Sequence, residues 1–458
     1  MFTSLRLERF KNFKDAELKL GPFTVLIGAN ASGKSNIRDA FRFLHGIGRG
    51  YSLADIIGEK YGEGGDRVWS GIRGGTREIT FAGGRSFALT SQSLVPSGVK
   101  SRYADFSEES FRYQIEVGIG QKNPLPELVK EQLDLVGHHN LFCRSKKGKN
   151  SNIQFYNTFH LFKEHKWYGP VCVDDYPKSL AFLREITMES KDREFWSSQN
   201  KRTEELFMHF YQDYDESLED YTRMRFFDWS LDAIRQPSLP GQDVLSDNGR
   251  NLSSVLYAIC QNDQGKRTLL SWIEELTPMD PVDFEFQTDP TGRVLATLVE
   301  RNKQKITLAS ASDGTLRFLA FLAAFLGPHP SSFYFFEELE NGIHPTRLSL
   351  LLDLVENQVK NKNIQVVATT HSPELLGRLS KDSLEHASLI YRLPDEPDAR
   401  IIRVLDMPNA RPLIKKQRLA HLFASAWFEH TAHYMQPAPD DDRSTPKPVR
   451  ARKPRVGA

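Results

Sequence analysis

The octapeptide GANASGKS at residues 28–35 constrains the fold of this chain more than any other segment. It has the spacing G-x-x-x-x-G-K-[ST] and follows an apolar run, FTVLIG, at 23–28. After it, at 36–47, apolar residues recur at helical spacing. Glycines at these positions let backbone N–H groups turn inward around phosphates, and a following helix N-terminus adds partial positive charge. The pattern predicts a strand, a phosphate-binding loop (P-loop) and a helix, and this context disfavours a chance glycine turn.

The side chains of this loop are expected to make different contacts with a nucleotide. Lys34 would place a positive charge near the β- and γ-phosphates, and the Ser35 hydroxyl can ligate Mg²⁺. We therefore expect ATP and Mg²⁺ as cofactors. The candidate nucleotide-binding residues are Gly28, Asn30, Ser32, Gly33, Lys34, Ser35 and Asn36.

Two acids follow the fully apolar run FYFF at 333–336. A buried strand that ends in carboxylates beside a P-loop is what metal binding and water activation require. We expect Glu337 to hold Mg²⁺ through water and Glu338 to polarise the attacking water. Without the P-loop, the better interpretation would be solvated acids at a strand end.

Two further segments place polar side chains at the ends of predicted elements. SDGT at 312–315 precedes an apolar helix and offers a second anion-binding surface, although an ordinary N-cap also explains it. His371 follows a buried strand predicted at 364–369. It can hydrogen-bond a γ-phosphate or an attacking water, but a lone histidine is more often structural.

The order of these four segments resembles the ABC-type ATPase heads of the RecF and SMC kind. It resembles more closely the stand-alone AAA-type ATPases, which carry three characteristic segments. Here they read SDGTLRFL at 312–319, EELENGIHP at 337–345 and TTHSPELL at 369–376. The N-terminal segment through the P-loop, and DNGRNLSSVL at 247–256, are also similar to these families.

The resemblance implies an α/β fold: a P-loop NTPase head of the ABC type. Its mixed or parallel sheet is flanked by helices, and an α+β lobe is inserted. Glu338 corresponds to the catalytic glutamate, His371 to the switch histidine and 341–344 to the D-loop at a dimer seam. The signature that contacts the γ-phosphate held by the opposite subunit corresponds to Ser312, Asp313, Gly314 and Thr315. Two heads would sandwich two ATP–Mg²⁺ and separate after hydrolysis.

The sequence departs from the RecF/SMC pattern at three positions. Glu337 stands where the family usually has aspartate, and because it keeps the charge we expect activity to be retained, with slow turnover as the alternative. Ala31 replaces the usual P-loop glycine. The third departure is the Q-loop glutamine, which has no clear match, and Gln92 is a weak candidate for it.

The family resemblance and local composition divide the chain into four parts. Residues 85–240 match no family that we can name, and the last segment is rich in proline and charge. The predicted parts are an N-terminal lobe of the head at 1–84, an insertion of unknown role at 85–240, a C-terminal lobe at 241–435 and a disordered basic tail at 436–458.

Composition excludes several classes of protein. The chain has 60 Lys and Arg against 59 Asp and Glu, a net charge of +1, so it is not a globally basic nucleic-acid binder. Its three cysteines have neither metal-ligand spacing nor a disulfide pattern. The N-terminal segment has no apolar signal region, and the longest uncharged apolar run, 318–326, is far below the roughly 20 residues of a membrane helix. We expect a cytoplasmic location and no membrane association.

Other patterns invite weaker interpretations. GHHN at 137–140 resembles part of an HNH nuclease but lacks supporting cysteine pairs. The three aspartates at 440–442 lie in the predicted tail, where solvated charge is the simpler interpretation. The lysines at 146–149 and the basic residues of the tail can bind phosphate or nucleic acid non-specifically, or only aid solubility.

Two functions follow from this pattern. The leading hypothesis is a cytoplasmic ATPase that forms an ATP-dependent homodimer or higher oligomer and acts on DNA or on a partner protein. The resemblance implies a role in DNA repair or in genome or phage defence. The alternative is an ATP-gated sensor or scaffold that holds a separately encoded effector protein and turns over slowly. A transporter ATPase subunit is disfavoured because the N-terminal segment and EELENGIHP do not resemble transporter heads.

Overall fold

The structure is a computed structural model, and it describes residues 1–94, 110–120, 124–136, 139–147, 150–154, 220–362, 364–393, 396–417, 419–425 and 427–434. The strands are β1 Phe2–Phe10, β2 Phe13–Lys19, β3 Phe23–Ile27, β4 Lys60–Tyr61, β5 Arg67–Trp69, β6 Ser86–Leu94, β7 Ser110–Ile119, β8 Pro126–Val136, β9 His139–Lys147, β10 Asn150–Gln154, β11 Met224–Phe227, β12 Pro281–Thr288, β13 Val294–Glu300, β14 Lys305–Thr307, β15 Phe333–Phe336, β16 Gln365–Thr370, β17 Ala387–Arg392 and β18 Ala399–Arg403. The α-helices are α1 Lys34–Gly48, α2 Leu53–Ile57, α3 Gly75–Glu78, α4 Leu231–Ile234, α5 Leu252–Cys260, α6 Asp263–Leu276, α7 Asp313–Leu326, α8 Leu348–Lys362, α9 Pro373–Leu376, α10 Lys381–Glu385, α11 Ala410–Lys416, α12 Leu419–Ala424 and α13 Trp427–Tyr434.

A six-stranded sheet lies at the centre of the head, with the order β11-β15-β16-β3-β17-β18. Its first five strands run parallel, and β18 is antiparallel to β17. The carboxyl ends of β3, β15 and β16 therefore meet at one edge, where ligands bind in open α/β sheets. The P-loop follows β3, the two acids follow β15 and His371 follows β16, so the topology brings the predicted motifs together.

The central sheet is buried on both faces. Along β15, Phe333 and Phe335 pack with α1 in one core, whereas Tyr334 and Phe336 pack with α7 in the other. Alternate side chains of a strand point to opposite faces, so a strand covered on both sides must be apolar throughout. This explains the unbroken run FYFF before the two acids.

A seven-stranded antiparallel sheet, ordered β10-β9-β8-β7-β6-β1-β2, covers the other side of α1. Its strands β6 to β10 come from residues 86–154, so pairing between β1 and β6 crosses the predicted boundary after residue 84. Pairing between β11 and β15 likewise crosses the boundary after residue 240. The proposed division into four parts stays a prediction, but two strands between 85 and 240, β6 and β11, pair directly with strands of the head.

Most predicted elements are confirmed, including the helix that begins at Asp313 and the two strands around the turn near residue 148. The sequence REITFA also predicts a strand at 77–82, and this prediction is wrong. Helix α3 extends to Glu78 and a short 3₁₀ helix begins at Phe81, where Ala82 adopts φ +48°, a value that extended strands do not allow. Thr80, between them, makes an isolated β-bridge to Phe10. Within the described ranges no helix has the length and apolar character to cross a membrane. The predicted tail at 436–458, with the aspartates at 440–442, and the first two residues of GHHN, 137–138, lie outside the described residues.

Candidate active site

The loop that follows β3 has no room for side chains at the two glycines of the P-loop pattern, Gly28 and Gly33. A Cβ on Gly28 would lie 2.3 Å from the carbonyl oxygen of Ile390 and 2.8 Å from Ser32 Oγ. Gly33 has φ +121°, and a Cβ there would lie 2.8 Å from Asn12 Nδ2. The glycines therefore let the loop close tightly against β17 and the β1–β2 turn before α1 begins.

Lys34 lies inside this loop and is almost fully buried. Its Nζ donates to the carbonyl oxygens of Gly28 and of Ala29, the latter at 2.9 Å. Burial lowers the pKa of Lys34, while the nearby carboxylates of Glu338, Glu340 and Glu337 raise it. Because the hydrogen bonds of the ammonium among the described residues go to neutral carbonyls, it can turn toward a phosphate without breaking an ion pair.

Ser32 gives an independent test of whether the loop fits a nucleotide. Its Oγ is buried and has no hydrogen-bond partner among the described residues. A buried hydroxyl without a partner is costly, and a phosphate oxygen at the centre of the loop would satisfy it. Together with the Lys34 ammonium and the N-terminus of α1, this hydroxyl makes the loop fit a phosphate chain.

The backbone of Ala31 explains why glycine is usual at its position. Ala31 is exposed and adopts φ +62°, in the left-handed region that glycine enters without steric cost. We expect Ala31→Gly to raise the free energy of unfolding by about 0.5–1 kcal/mol, since relief of the strain exceeds the added entropy of the unfolded chain. Thermal unfolding without nucleotide would measure this, and a lower Tm would contradict it.

Glu337 is held by an arginine that the sequence did not identify. An Nη1 hydrogen bond from Arg38 to Glu337 Oε2 joins the first helix to the end of β15. Both side chains are largely buried, with 10% and 19% of their surface exposed, and Asp228 lies 4.0 Å from the same Arg38 nitrogen. Arg38 follows Lys34 by four residues, so helical spacing places both on one face of α1. Mg²⁺ would have to share the Glu337 carboxylate with this guanidinium.

Glu338 adopts φ +49°, an uncommon value for a residue with a side chain. Its N–H donates to Thr369 Oγ1 at 2.9 Å, which ties the end of β15 to the end of β16. Asn341 Nδ2 donates to Glu338 Oε2 at 3.3 Å. Strained backbone that its surroundings hold in place is common at active sites, so this geometry supports the role predicted for Glu338.

His371 lies beside both Glu338 and Glu340. Its Nδ1 is 3.8 Å from Glu338 Oε1 and 3.7 Å from Glu340 Oε1, and its backbone N–H donates to Glu340 at 3.1 Å. Glu340 is only 10% exposed at its side chain, so it anchors the histidine loop from inside. Sequence reasoning missed Glu340, although it lies within the EELENG segment.

These elements surround a cleft of about 680 Å³. Of the predicted site residues, those that line it are Asn30, Ser32, Gly33, Lys34, Ser35, Asn36, Glu337 and Glu338. Other lining residues include Asn12, Arg73, Asp228, Trp229, Arg317, Phe321, Asn341, Thr369 and Arg392. Gly28, His371 and Gln92 are not among the lining residues, and Gln92 instead lies in β6, where it accepts a hydrogen bond from Ser4.

The signature segment does not line the cleft of its own chain. Ser312 caps α7, and its Oγ accepts from the N–H of Thr315 at 3.2 Å, so the N-cap interpretation is confirmed. Arg235 holds the segment from outside the helix, since its Nη2 donates to the Ala311 carbonyl at 3.0 Å and to Asp313 Oδ1 at 2.7 Å. Ser312 and Asp313 remain exposed, and the anion-binding role of the segment stays a prediction.

Asn12 connects the first β-turn to the P-loop and was also missed from the sequence. Its Nδ2 donates to the Ser32 carbonyl at 3.2 Å, and its Oδ1 accepts from Asn36 Nδ2 at 2.7 Å. No local pattern marks this residue. Only the packing of the β1–β2 turn against the loop shows that it orients the start of α1.

A family model described as "AAA domain, putative AbiEii toxin, Type IV TA system" matches residues 23–131 and 192–377. The matched segments contain the P-loop, both acids and His371, and they make up more than half of the chain. The chain belongs to this AAA-domain family. Together with the strand order and the P-loop, this membership makes the fold that of an ABC/SMC-like P-loop ATPase head, as the sequence predicted.

Two curated proteins are similar to shorter parts of the chain. An ATP/GTP phosphatase of Helicobacter pylori is 31% identical over 131 residues, which cover 28% of this chain and 34% of that protein. Structural maintenance of chromosomes protein 1 of Arabidopsis thaliana is 45% identical over 60 residues, which cover 12% of this chain and 5% of that protein. The chain thus spans about a third or less of the length of these relatives.

Two solved SMC heads are similar over most of the chain. A crystal structure of an SMC head bound to the C-terminal winged-helix domain of ScpA is 12% identical, covers 88% of this chain and 97% of its own, and has a TM-score of 0.48. The SMC head domain from Thermotoga maritima is 13% identical, covers 88% and 98%, and has a TM-score of 0.40.

Proposed function

We propose that this protein binds ATP with Mg²⁺ in the cleft and hydrolyses it to ADP and phosphate. The observation that carries this proposal is the meeting of Lys34, Ser35, Glu337 and Glu338 around one cleft. A phosphate-binding loop beside two carboxylates at the ends of parallel strands supplies binding, metal ligation and a base in one place.

The residues of the chain have distinct roles in the proposed reaction. The P-loop N–H groups, Ser32 Oγ and Lys34 bind and orient the phosphates, and Ser35 and Glu337 would hold Mg²⁺. Mg²⁺, when bound, neutralises charge on the β- and γ-phosphates. Glu338 accepts a hydrogen bond from the attacking water and takes its proton, and His371 beside it supports that water or the γ-phosphate.

We further propose that the signature segment completes the site of a second copy of the chain. The exposure of Ser312 and Asp313, and the absence of the segment from the lining of the cleft of its own chain, support an action in trans. In this arrangement two chains form a homodimer that closes when ATP binds and opens after hydrolysis. The family description mentions a putative toxin of a type IV toxin–antitoxin system, which supports genome or phage defence, and DNA repair remains the other biological role within the proposal.

The ion pair between Arg38 and Glu337 favours the second candidate, a sensor or scaffold that holds an effector protein. Because Mg²⁺ must compete with a buried guanidinium for the carboxylate, turnover would be slow and the ATP-bound state long-lived. In this version the dimer captures a partner, and DNA has no effect on the hydrolysis rate.

The deciding measurement is the ATP hydrolysis rate of the full-length chain, with and without linear duplex DNA, at two salt concentrations. A rate that DNA raises and high salt abolishes would support action on DNA, since phosphate contacts are strongly salt-dependent. A slow rate that is indifferent to DNA would support the sensor. Lys34→Ala is the control and is expected to abolish nucleotide binding; unchanged affinity in this variant would refute the P-loop assignment.

A further inference from the structure

Arg317 lies in the nucleotide cleft of its own chain although it belongs to the signature helix. It is in the second turn of α7, and it lines the cleft together with Lys34 and Glu338. The resemblance to ATPase heads assigns functions to the four residues that begin this helix but none to Arg317. Its position therefore needs an explanation from the cleft itself.

The guanidinium of Arg317 has no anionic partner within the described part of the chain. Across the described residues it makes no ion pair or hydrogen bond, and its Nε is buried without an acceptor. Burial lowers the pKa of Arg317, and the carboxylates of Asp313, Glu338 and Asp228 raise it without coming within ion-pair distance. A partly buried charge without a partner is unfavourable, and an anion bound in the cleft would relieve that cost.

Local packing fixes where this side chain lies. Gly342 has φ +71°, and a Cβ built on it would lie 2.6 Å from Arg317 Nε, so the arginine crosses the backbone at a position only glycine allows. Gly342 follows Glu338 by four residues in the loop after β15. Glu338 is also close enough to Lys34 to raise its pKa, so one acid lies near both cations.

We propose that Arg317 binds the γ-phosphate of the ATP held by its own chain and thereby distinguishes ATP from ADP. The inference rests on the proposed function, since it names the residue that contacts one phosphate of the ATP proposed for the same cleft. Lys34 reaches the phosphates from the P-loop side, whereas Arg317 approaches from the side of Glu338, where the attacking water and terminal phosphate would lie. ADP lacks the group that this arginine binds.

The test compares binding of AMP-PNP, a non-hydrolysable ATP analogue, with binding of ADP, both with Mg²⁺, by titration calorimetry on the full-length chain. Arg317→Gln should weaken AMP-PNP binding by about 10- to 100-fold, the range for hydrogen bonds to a charged group, and change ADP binding less than about 3-fold. Arg317→Lys should recover part of the loss, since lysine keeps the charge without the planar fork.

The matched control is Arg347→Gln, which removes the same charge outside the cleft, where Arg347 donates to the Glu275 carbonyl. It should leave both affinities unchanged. If Arg317→Gln weakens AMP-PNP and ADP equally, or neither, the assignment of Arg317 to the γ-phosphate is wrong. Failure of the unmodified protein to bind either nucleotide would instead refute the proposed function.

A second arm separates a contact within the chain from a contact across a dimer. The comparison is repeated in a Ser312→Arg background, where the proposed trans contact is blocked. A loss of AMP-PNP affinity that persists there supports the contact in the same chain. A loss that disappears there would place the arginine against the nucleotide of the second copy and overturn the assignment.

Discussion

Glu338→Gln is expected to lower the rate of ATP hydrolysis by about 1,000-fold while ATP binding is retained, within the range that general base catalysis contributes. Glutamine has the size of glutamate and can still accept the hydrogen bond from Asn341, so the cleft keeps its shape. It cannot take a proton from water at neutral pH. Phosphate release in the steady state measures the rate, and calorimetry with ATP measures the binding separately.

The same variant tests the sandwich proposed above. With hydrolysis blocked, Glu338→Gln should accumulate as a dimer when ATP and Mg²⁺ are added, and light scattering after gel filtration would show it. Combining it with Ser312→Arg should return the protein to a monomer that still binds ATP. Normal hydrolysis by Glu338→Gln would refute the assignment of this acid and make Glu337 the candidate base; ATP-dependent dimers of the double variant would argue against the trans contact.

Arg38→Met is expected to lower the free energy of unfolding by about 3 kcal/mol. Breaking a buried ion pair from one side typically costs about 3–5 kcal/mol, and we take the lower end because Glu337 faces a cleft open to water. Methionine keeps much of the volume of the aliphatic stem, so the loss reports the charge and its hydrogen bonds. Chemical denaturation without nucleotide measures it.

A double-mutant cycle with Glu337→Gln gives this prediction its control. The double variant Arg38→Met/Glu337→Gln should lose clearly less stability than the sum of the single variants, because it leaves no carboxylate buried without a partner. Additive losses would show that the two residues do not interact in the folded protein. A matched exposed pair, Arg411 with Glu385, should give a coupling energy below about 1 kcal/mol, as surface ion pairs do.

The local part of the site could be predicted from the sequence because its signals are short-range. The P-loop spacing, the apolar run before Glu337 and the buried strand before His371 each lie within about ten residues. Parallel strands place their carboxyl ends at one edge, so the meeting of these three segments follows once the strands are assigned. The strand predicted at 77–82 does not form because α3 extends into the segment at Glu78 and Ala82 adopts a left-handed φ of +48°, and the residue pattern indicates neither.

The contacts that decide the electrostatics of the site were beyond such reasoning. Arg38 and Glu337 are 299 residues apart, and Arg235 and Asp313 are 78 apart. The sequence contains 60 lysines and arginines, and nothing in the spacing of a cation indicates which distant carboxylate it will contact. The unpaired state of Arg317 is likewise a property of the fold, which places no carboxylate of the described residues within ion-pair distance of its guanidinium.

The sequence by itself determined that the chain forms a phosphate-binding loop between a strand and a helix, followed by parallel strands that end in acids and a histidine. It did so because backbone conformation and hydrophobic periodicity are set by neighbouring residues. Only the tertiary structure decided that Glu337 is paired with Arg38, that Asn12 supports the P-loop and that Arg317 enters the cleft with no partner among the residues that the structure describes. Ion pairs and hydrogen bonds act only over a few ångströms. Residues that are distant in the sequence come that close only when the chain folds.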